Sequence, residues 1–204
     1  DPSKPIVKKV NFDFVATGFS LVITDTGGNH ADLNDEYASL PTDMKAVARE
    51  LGAKVLRQVT LEQIIEAAPK MRSRVGDRAI LRAIHFQGDN QRVVDQVEAL
   101  ERNDFKSFLD MVTESGFSSY MYNQNVYPVN NVSEQRVSLA LAISHLVLKG
   151  EGAWRVHGGG FAGTIQAFVP RKLLDKYVTT LEHVYGKGSC HALFIRHQGA
   201  GIVN

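Results

Sequence analysis

The sequence predicts an α+β fold in which an antiparallel sheet is covered on one face by helices. Strand-like runs fall into two groups far apart in the chain, one at Phe19–Thr24 and one from Gly152 onward. Between the groups, apolar residues recur at helical spacing. Strands segregated from a long helical tract favour α+β over an alternating parallel architecture.

The elements follow in order. Val10, Phe12 and Phe14 alternate with polar residues, and Ala16-Thr17-Gly18 leads into Phe19–Thr24, the pattern of a β-hairpin. Gly27-Gly28 ends the second strand and opens a loop carrying residues 30 to 37. Met44, Val47, Ala48 and Leu51 share one helical face, with Gly52 placed to cap its C-terminus. Thr60 and Gln63 have capping-box spacing ahead of Ile64 and Ile65. From Asp77 to Leu100 the residues Ile80, Leu81, Ile84, Val93, Val94 and Val97 repeat at three and four, with Gly88 a point where the helix bends or divides. Asp104 caps a helix through Phe108, Met111 and Val112, and Ser133 caps another through Val137, Leu141 and Leu148, closed by Gly150. Residues 117–132, with four Asn and one Pro, read as an irregular connection. A strand, a glycine-rich loop and a second strand follow, then a helix over Arg171–Tyr185 and a strand over Ser189–Ile195.

Composition narrows the function. The chain has 204 residues, enough for one large domain, and its 23 Lys and Arg balance 22 Asp and Glu. A field so nearly neutral draws neither nucleic acid nor an anionic membrane. Nor does any apolar run approach the ~20 residues of a spanning helix. Cys190 stands alone, so there is no internal disulfide. This fits a reducing cytoplasm and reads as a small buried hydrophobe.

The run Arg155-Val156-His157-Gly158-Gly159-Gly160-Phe161-Ala162-Gly163-Thr164 is the densest signal. Glycine is used where backbone takes φ > 0 or approaches something closely, and such a loop can turn its amides toward an anion. Gly158, Gly160 and Gly163 have the dinucleotide-binding spacing, but that motif must open a helix. Here Thr164–Val169 reads as a strand. His157-Gly158-Gly159-Gly160 also matches an esterase oxyanion loop. The sole serine beyond it, Ser189, lacks the flanking glycines of a nucleophile elbow. What remains is a tight hairpin, or a resemblance.

Arg155–Thr164 resembles the third motif of the GHMP small-molecule kinases in its galactokinase version, Arg-Met-Thr-Gly-Gly-Gly-Phe-Gly-Gly. The stretch from His30 to Tyr37 is similar to that family's His-x-Leu-x-x-Ser-Glu-Tyr, Arg82-Ala83-Ile84-His85 with Asn90-Gln91-Arg92-Val93 to its Arg-Ala-x-His…Glu-Asn-x-Arg-Val, and Glu114-Ser115 with Ser118 to its Glu-Ser-His-x-Ser-Leu. The stretches keep the family's order and cover nearly the whole chain. Val156, His157, Ala162, Gly116 and Asp35 depart from it, and Trp154 is an insertion. The departures describe a divergent branch and leave the exact sugar open.

The resemblance implies that residues 1–204 form one domain, the ferredoxin-like C-terminal domain of a GHMP kinase with extra helices. It implies ATP-dependent phosphorylation of galactose, or a related sugar, at the anomeric hydroxyl. Tyr37 is then the residue that hydrogen-bonds the sugar. Gly158, Gly159, Gly160, Phe161 and Gly163 form an active-site loop with a supporting role, facing the phosphate-binding loop of the missing half, and His30 has a structural place in the loop that carries Tyr37. In this family the Ser-rich phosphate loop, the Mg2+ ligands, the adenine pocket and the Asp base lie in the N-terminal half. No Walker-type loop or Gly-Leu-Ser-Ser-Ser stretch occurs here. The expected partners are therefore the sugar and that missing half, with ATP and Mg2+ bound there and no catalytic residue or metal site in this chain. Another GHMP sugar kinase and a catalytically silent sugar sensor remain as alternatives.

Overall fold

Among the described residues four strands make one antiparallel sheet: β1 (Phe19–Asp25), β2 (Ala153–Val156), β3 (Thr164–Pro170) and β4 (Cys190–Leu193), in the order β2-β3-β1-β4. A computed structural model of the chain describes residues 6–28, 33–161 and 163–195. The helices are α1 (Asn34–Glu50), α2 (Leu61–Val75), α3 (Asp77–Glu101), α4 (Phe105–Ser118), α5 (Arg136–Leu148) and α6 (Leu174–Tyr185). The split β-α-β-β-α-β order is that of a ferredoxin-like fold, with α1–α4 inserted ahead of α5. This agrees with the α+β expectation.

Register divides the sheet into two faces. Val22 stands opposite Ala167 and Ala192, and Ala167 opposite Trp154. Val22, Ala167 and Trp154 pack with Val137, Leu141 and Leu148 of α5 and with Tyr177 and Leu181 of α6. The other row, Leu21, Phe168 and Ala153, meets Leu100 of α3 and Phe108, Leu109 and Val112 of α4. Both faces are thus covered, not the one face expected from the sequence, because the long α3–α4 pair folds back onto the sheet. A second core lies among α1, α2 and α3, around Val47, Ile64, Met71 and Ile80.

Several sequence expectations change. The segment before β1 forms no strand: residues 6–12 have no regular structure, and a 3₁₀ turn follows at Val15–Thr17. Phe12 and Phe14 instead join Phe105, Phe108 and Phe168 in an aromatic cluster with centroids 4.9–6.3 Å apart. Their alternation reflects burial against α4 rather than a sheet ladder. Asn34–Tyr37 is the first turn of α1, not a loop, with Asp35 and Glu36 suited to the positive end of the helix dipole. α3 runs unbroken through Gly88, and its Val93 and Val94 are about half exposed. Thr60 and Gln63 form the capping box, and Asp104 accepts from the Ser107 amide. Ser133 caps nothing: its hydroxyl turns to Asn131, and α5 begins at Arg136. A single π turn, Ser119–Asn123, continues α4 into the stretch read as irregular. Cys190 is half-buried, 3.4 Å from the Thr24 hydroxyl. Burial pushes its thiol pKa up, away from a reactive thiolate.

Candidate active site

The glycine loop joins β2 to β3 and is closed by the His157 amide donating to the Thr164 carbonyl at 2.9 Å. Gly158 and Gly160 have φ of +63° and +83°. At Gly160 the conformation is forced from outside as well: a Cβ there would lie 1.9 Å from the Asn125 carbonyl oxygen. A Cβ on Gly159 would lie 2.7 Å from Cε1 of Tyr37. The glycines therefore let two other segments approach the loop.

Those segments hold it by hydrogen bonds. Tyr37, on the first turn of α1, donates its hydroxyl to the Gly160 carbonyl at 2.8 Å. Asn125 donates Nδ2 to the Gly159 carbonyl at 3.1 Å, and its own carbonyl accepts from the Phe161 amide at 2.5 Å. Phe161, itself at φ +53°, is buried edge-on to the Tyr37 ring and packs with Leu33 and Leu40. Gly163 is buried at the start of β3, where its carbonyl accepts from both the amide and the hydroxyl of Thr26. Tyr37, Gly159, Gly160 and Phe161 are thus brought together, while Gly158 stands at the exposed tip. His157 is exposed and pairs with Gln166 at 2.9 Å. His30 lies outside the described residues.

A cleft of about 490 Å³ opens beside the loop, lined by residues that include Thr26, Leu33, Asn130, Arg136 and Phe161. Glu36 supports its rim. It is buried and accepts from the amides of Val129 and Asn130 at 3.1 and 3.4 Å. Asn125 and Glu36 were not singled out for a role in the sequence. The crowding of Asn at 123–131 was the available signal, since Asn readily takes up turn conformations.

Behind the loop lies a polar network built on α3. Arg82 is fully buried. Its Nη1 meets Asp43 at 2.7 Å and the Ser39 hydroxyl at 2.9 Å, while Nε donates to the Asn123 carbonyl at 3.1 Å. Burial lowers its pKa and Asp43 opposes that. His85 pairs with Ser118 at 2.9 Å and approaches Asp89 at 3.5 Å, and Asp89 also accepts from Arg92 and Ser115. Desolvation lowers the His85 pKa despite Asp89. Arg82, His85 and Arg92 are therefore paired and largely buried. Gly116 lets α4 reach β2, since a Cβ there would sit 2.7 Å from the Trp154 carbonyl.

No family model matches the chain. A galactokinase of Actinobacillus pleuropneumoniae serotype 5b is 30% identical over 156 residues, 76% of this chain and 38% of that protein. This chain is a relative of the galactokinases. Galactokinases of Haemophilus influenzae and Glaesserella parasuis are 27% and 26% identical over 82% and 85% of the chain. The chain spans about two fifths of the length of these galactokinases, 38–43%. The fold is that of Lactococcus lactis galactokinase, solved in complex with galactose: the TM-score is 0.70 over 90% of this chain and 46% of that one, at 16% identity.

Two observations bear on cofactors and surroundings. Among the described residues there is no group of three or more His, Cys, Asp and Glu that could hold a metal ion. Among the same residues no helix is long and apolar enough to cross a membrane.

Proposed function

We propose that this chain is the C-terminal domain of a galactokinase of the GHMP type, with Tyr37 and the Gly158–Gly163 loop on its active-site wall. The observation that carries the reading is the hydrogen bond from Tyr37 to Gly160, 123 positions away. It joins the two stretches whose sequences most resemble the family's sugar and phosphate motifs. The Tyr37 hydroxyl that donates to Gly160 is the group that the resemblance brings to the sugar. Gly158 and Gly159 present backbone rather than side chains to the phosphate-binding loop of the other half. In the transfer, the anomeric hydroxyl oxygen bonds to the γ-phosphorus of ATP, the bond from that phosphorus to ADP breaks, and the proton leaves to a base in the N-terminal half. Positioning supplies most of the catalysis in such a transfer, and positioning is what this chain's residues would contribute. ATP and Mg2+ belong to the other half.

The deciding experiment is ATP-dependent phosphorylation of a sugar panel by the longer polypeptide, beside residues 1–204 alone. Turnover of galactose above N-acetylhexosamines and arabinose, with none from the isolated chain, is expected. Turnover of another sugar in preference would assign a different GHMP sugar kinase. Sugar binding without turnover would make the protein a sensor, and robust turnover by residues 1–204 would overturn the division of labour.

A further inference from the structure

Arg82 is an unusual residue to find fully buried, because a charged guanidinium away from water gains little over apolar residues of the same volume. What it offers instead is direction. Its donors form a rigid planar fork, whereas a lysine has one nitrogen on a flexible stem. Here the fork splits between two segments. Nη1 grips Ser39 and Asp43 of α1, and Nε grips the Asn123 carbonyl, the last of the π turn. Gln124, in the left-handed conformation with its amide on the Ser119 carbonyl, carries the chain from Asn123 to Asn125. Asn125 then holds Gly159 and Phe161. Tyr37, which holds Gly160, lies on α1 two residues before Ser39.

The glycine loop is therefore tied to α1 by two routes, directly through Tyr37 and indirectly through Arg82, the π turn and Asn125. We infer that Arg82 is a positioning residue that sets the glycine loop against Tyr37 by fixing the Asn123 carbonyl. The tether stands on geometry alone; only its purpose, setting an active-site wall, rests on the kinase reading.

Arg82→Lys separates the tether from the ion pair. The lysine keeps a charge for Asp43, which Arg78 also contacts at 2.9 Å, but cannot reach Asn123 at the same time. The measurement is amide hydrogen exchange in residues 1–204, with the Phe161 amide shift as a spectroscopic marker. We expect exchange at Phe161 to speed up about ten- to a hundredfold, as when a charge-assisted hydrogen bond is lost. Val22 and Ala167 in the central strands should change much less. Tyr37→Phe combined with Arg82→Lys should give a non-additive effect, since both act on one loop. Should the lysine variant fail to fold, Ser39→Ala, which withdraws one of the two α1 partners, should give the same local pattern at roughly threefold. An unchanged Phe161 amide, or an equal acceleration at Phe161, Val22 and Ala167, would make Arg82 a core residue and overturn the inference. Loss of the kinase reading in the sugar assay would leave this result untouched.

Discussion

Replacing Gly160 by alanine places a methyl group where the Asn125 carbonyl already stands. The built Cβ lies 1.9 Å from that oxygen and 2.7 Å from Asn125 Nδ2, while the backbone sits at φ +83°. Left-handed backbone costs a non-glycine residue roughly 1–2 kcal/mol. Asn125 must also retreat, which endangers both of its hydrogen bonds to the loop, at about 0.5–1.5 kcal/mol each. The sum is roughly 2–5 kcal/mol, a large share of the ~5–15 kcal/mol that holds a domain together. Gly158 provides the internal control. Its φ is +63°, yet a Cβ there meets nothing within 4 Å, so Gly158→Ala should cost only the ~1–2 kcal/mol of strain. Urea unfolding of the two variants beside the parent chain measures the difference directly. Gly160→Ala should lower the midpoint clearly further than Gly158→Ala with the slope unchanged. Equal losses would mean that Asn125 does not set the loop, and the account of the site would fail with it.

Tyr37→Phe keeps the ring against Phe161 and removes one neutral hydrogen bond, so stability should fall by ~0.5–1.5 kcal/mol and the Michaelis constant of the longer enzyme for its sugar should rise by a few-fold to about tenfold. No change in either quantity would make Tyr37 a packing residue. Burial lowers the His85 pKa in the folded chain, against opposition from Asp89 and with Arg155 and Arg92 adding to the shift. Below the ordinary histidine pKa of about 6.5 the unfolded chain therefore binds the proton that the folded chain refuses. Stability should be fully present above that value and decline as pH falls below it. Urea midpoints at pH 7.5 and 5.5 check this, and His85→Asn should shrink the difference between them; an undiminished difference would place the titration elsewhere.

Much of the local structure could be read from the chain because short-range chemistry decides it. The Thr60–Gln63 capping box, the Asp104 cap and the strand–glycine loop–strand unit depend on neighbours a few positions away, and all three are present. The failures share another cause. Phe12 and Phe14 alternate as a strand residue would, but an aromatic surface supplied by α4 and β3 captured them. The helix α1 starts ahead of Pro41 and passes through it, so the signal taken for a loop was a first turn. Val93 and Val94 fit an apolar stripe yet face outward, because α2 and α4 occupy other sides of α3.

By itself the sequence determined the class of fold, the capped helices, the glycine loop and the resemblance carried by four ordered motifs. It also marked Tyr37 and the loop as candidates. Only the tertiary structure decided that the two touch, that Gly160 must be bare because Asn125 occupies the space of its Cβ, and that Glu36 and Arg82 act from inside. The physical reason is range. Capping, turns and periodicity are set within a few residues, whereas a hydrogen bond between residues 37 and 160 exists only once β1, β3 and α1 have been packed into place.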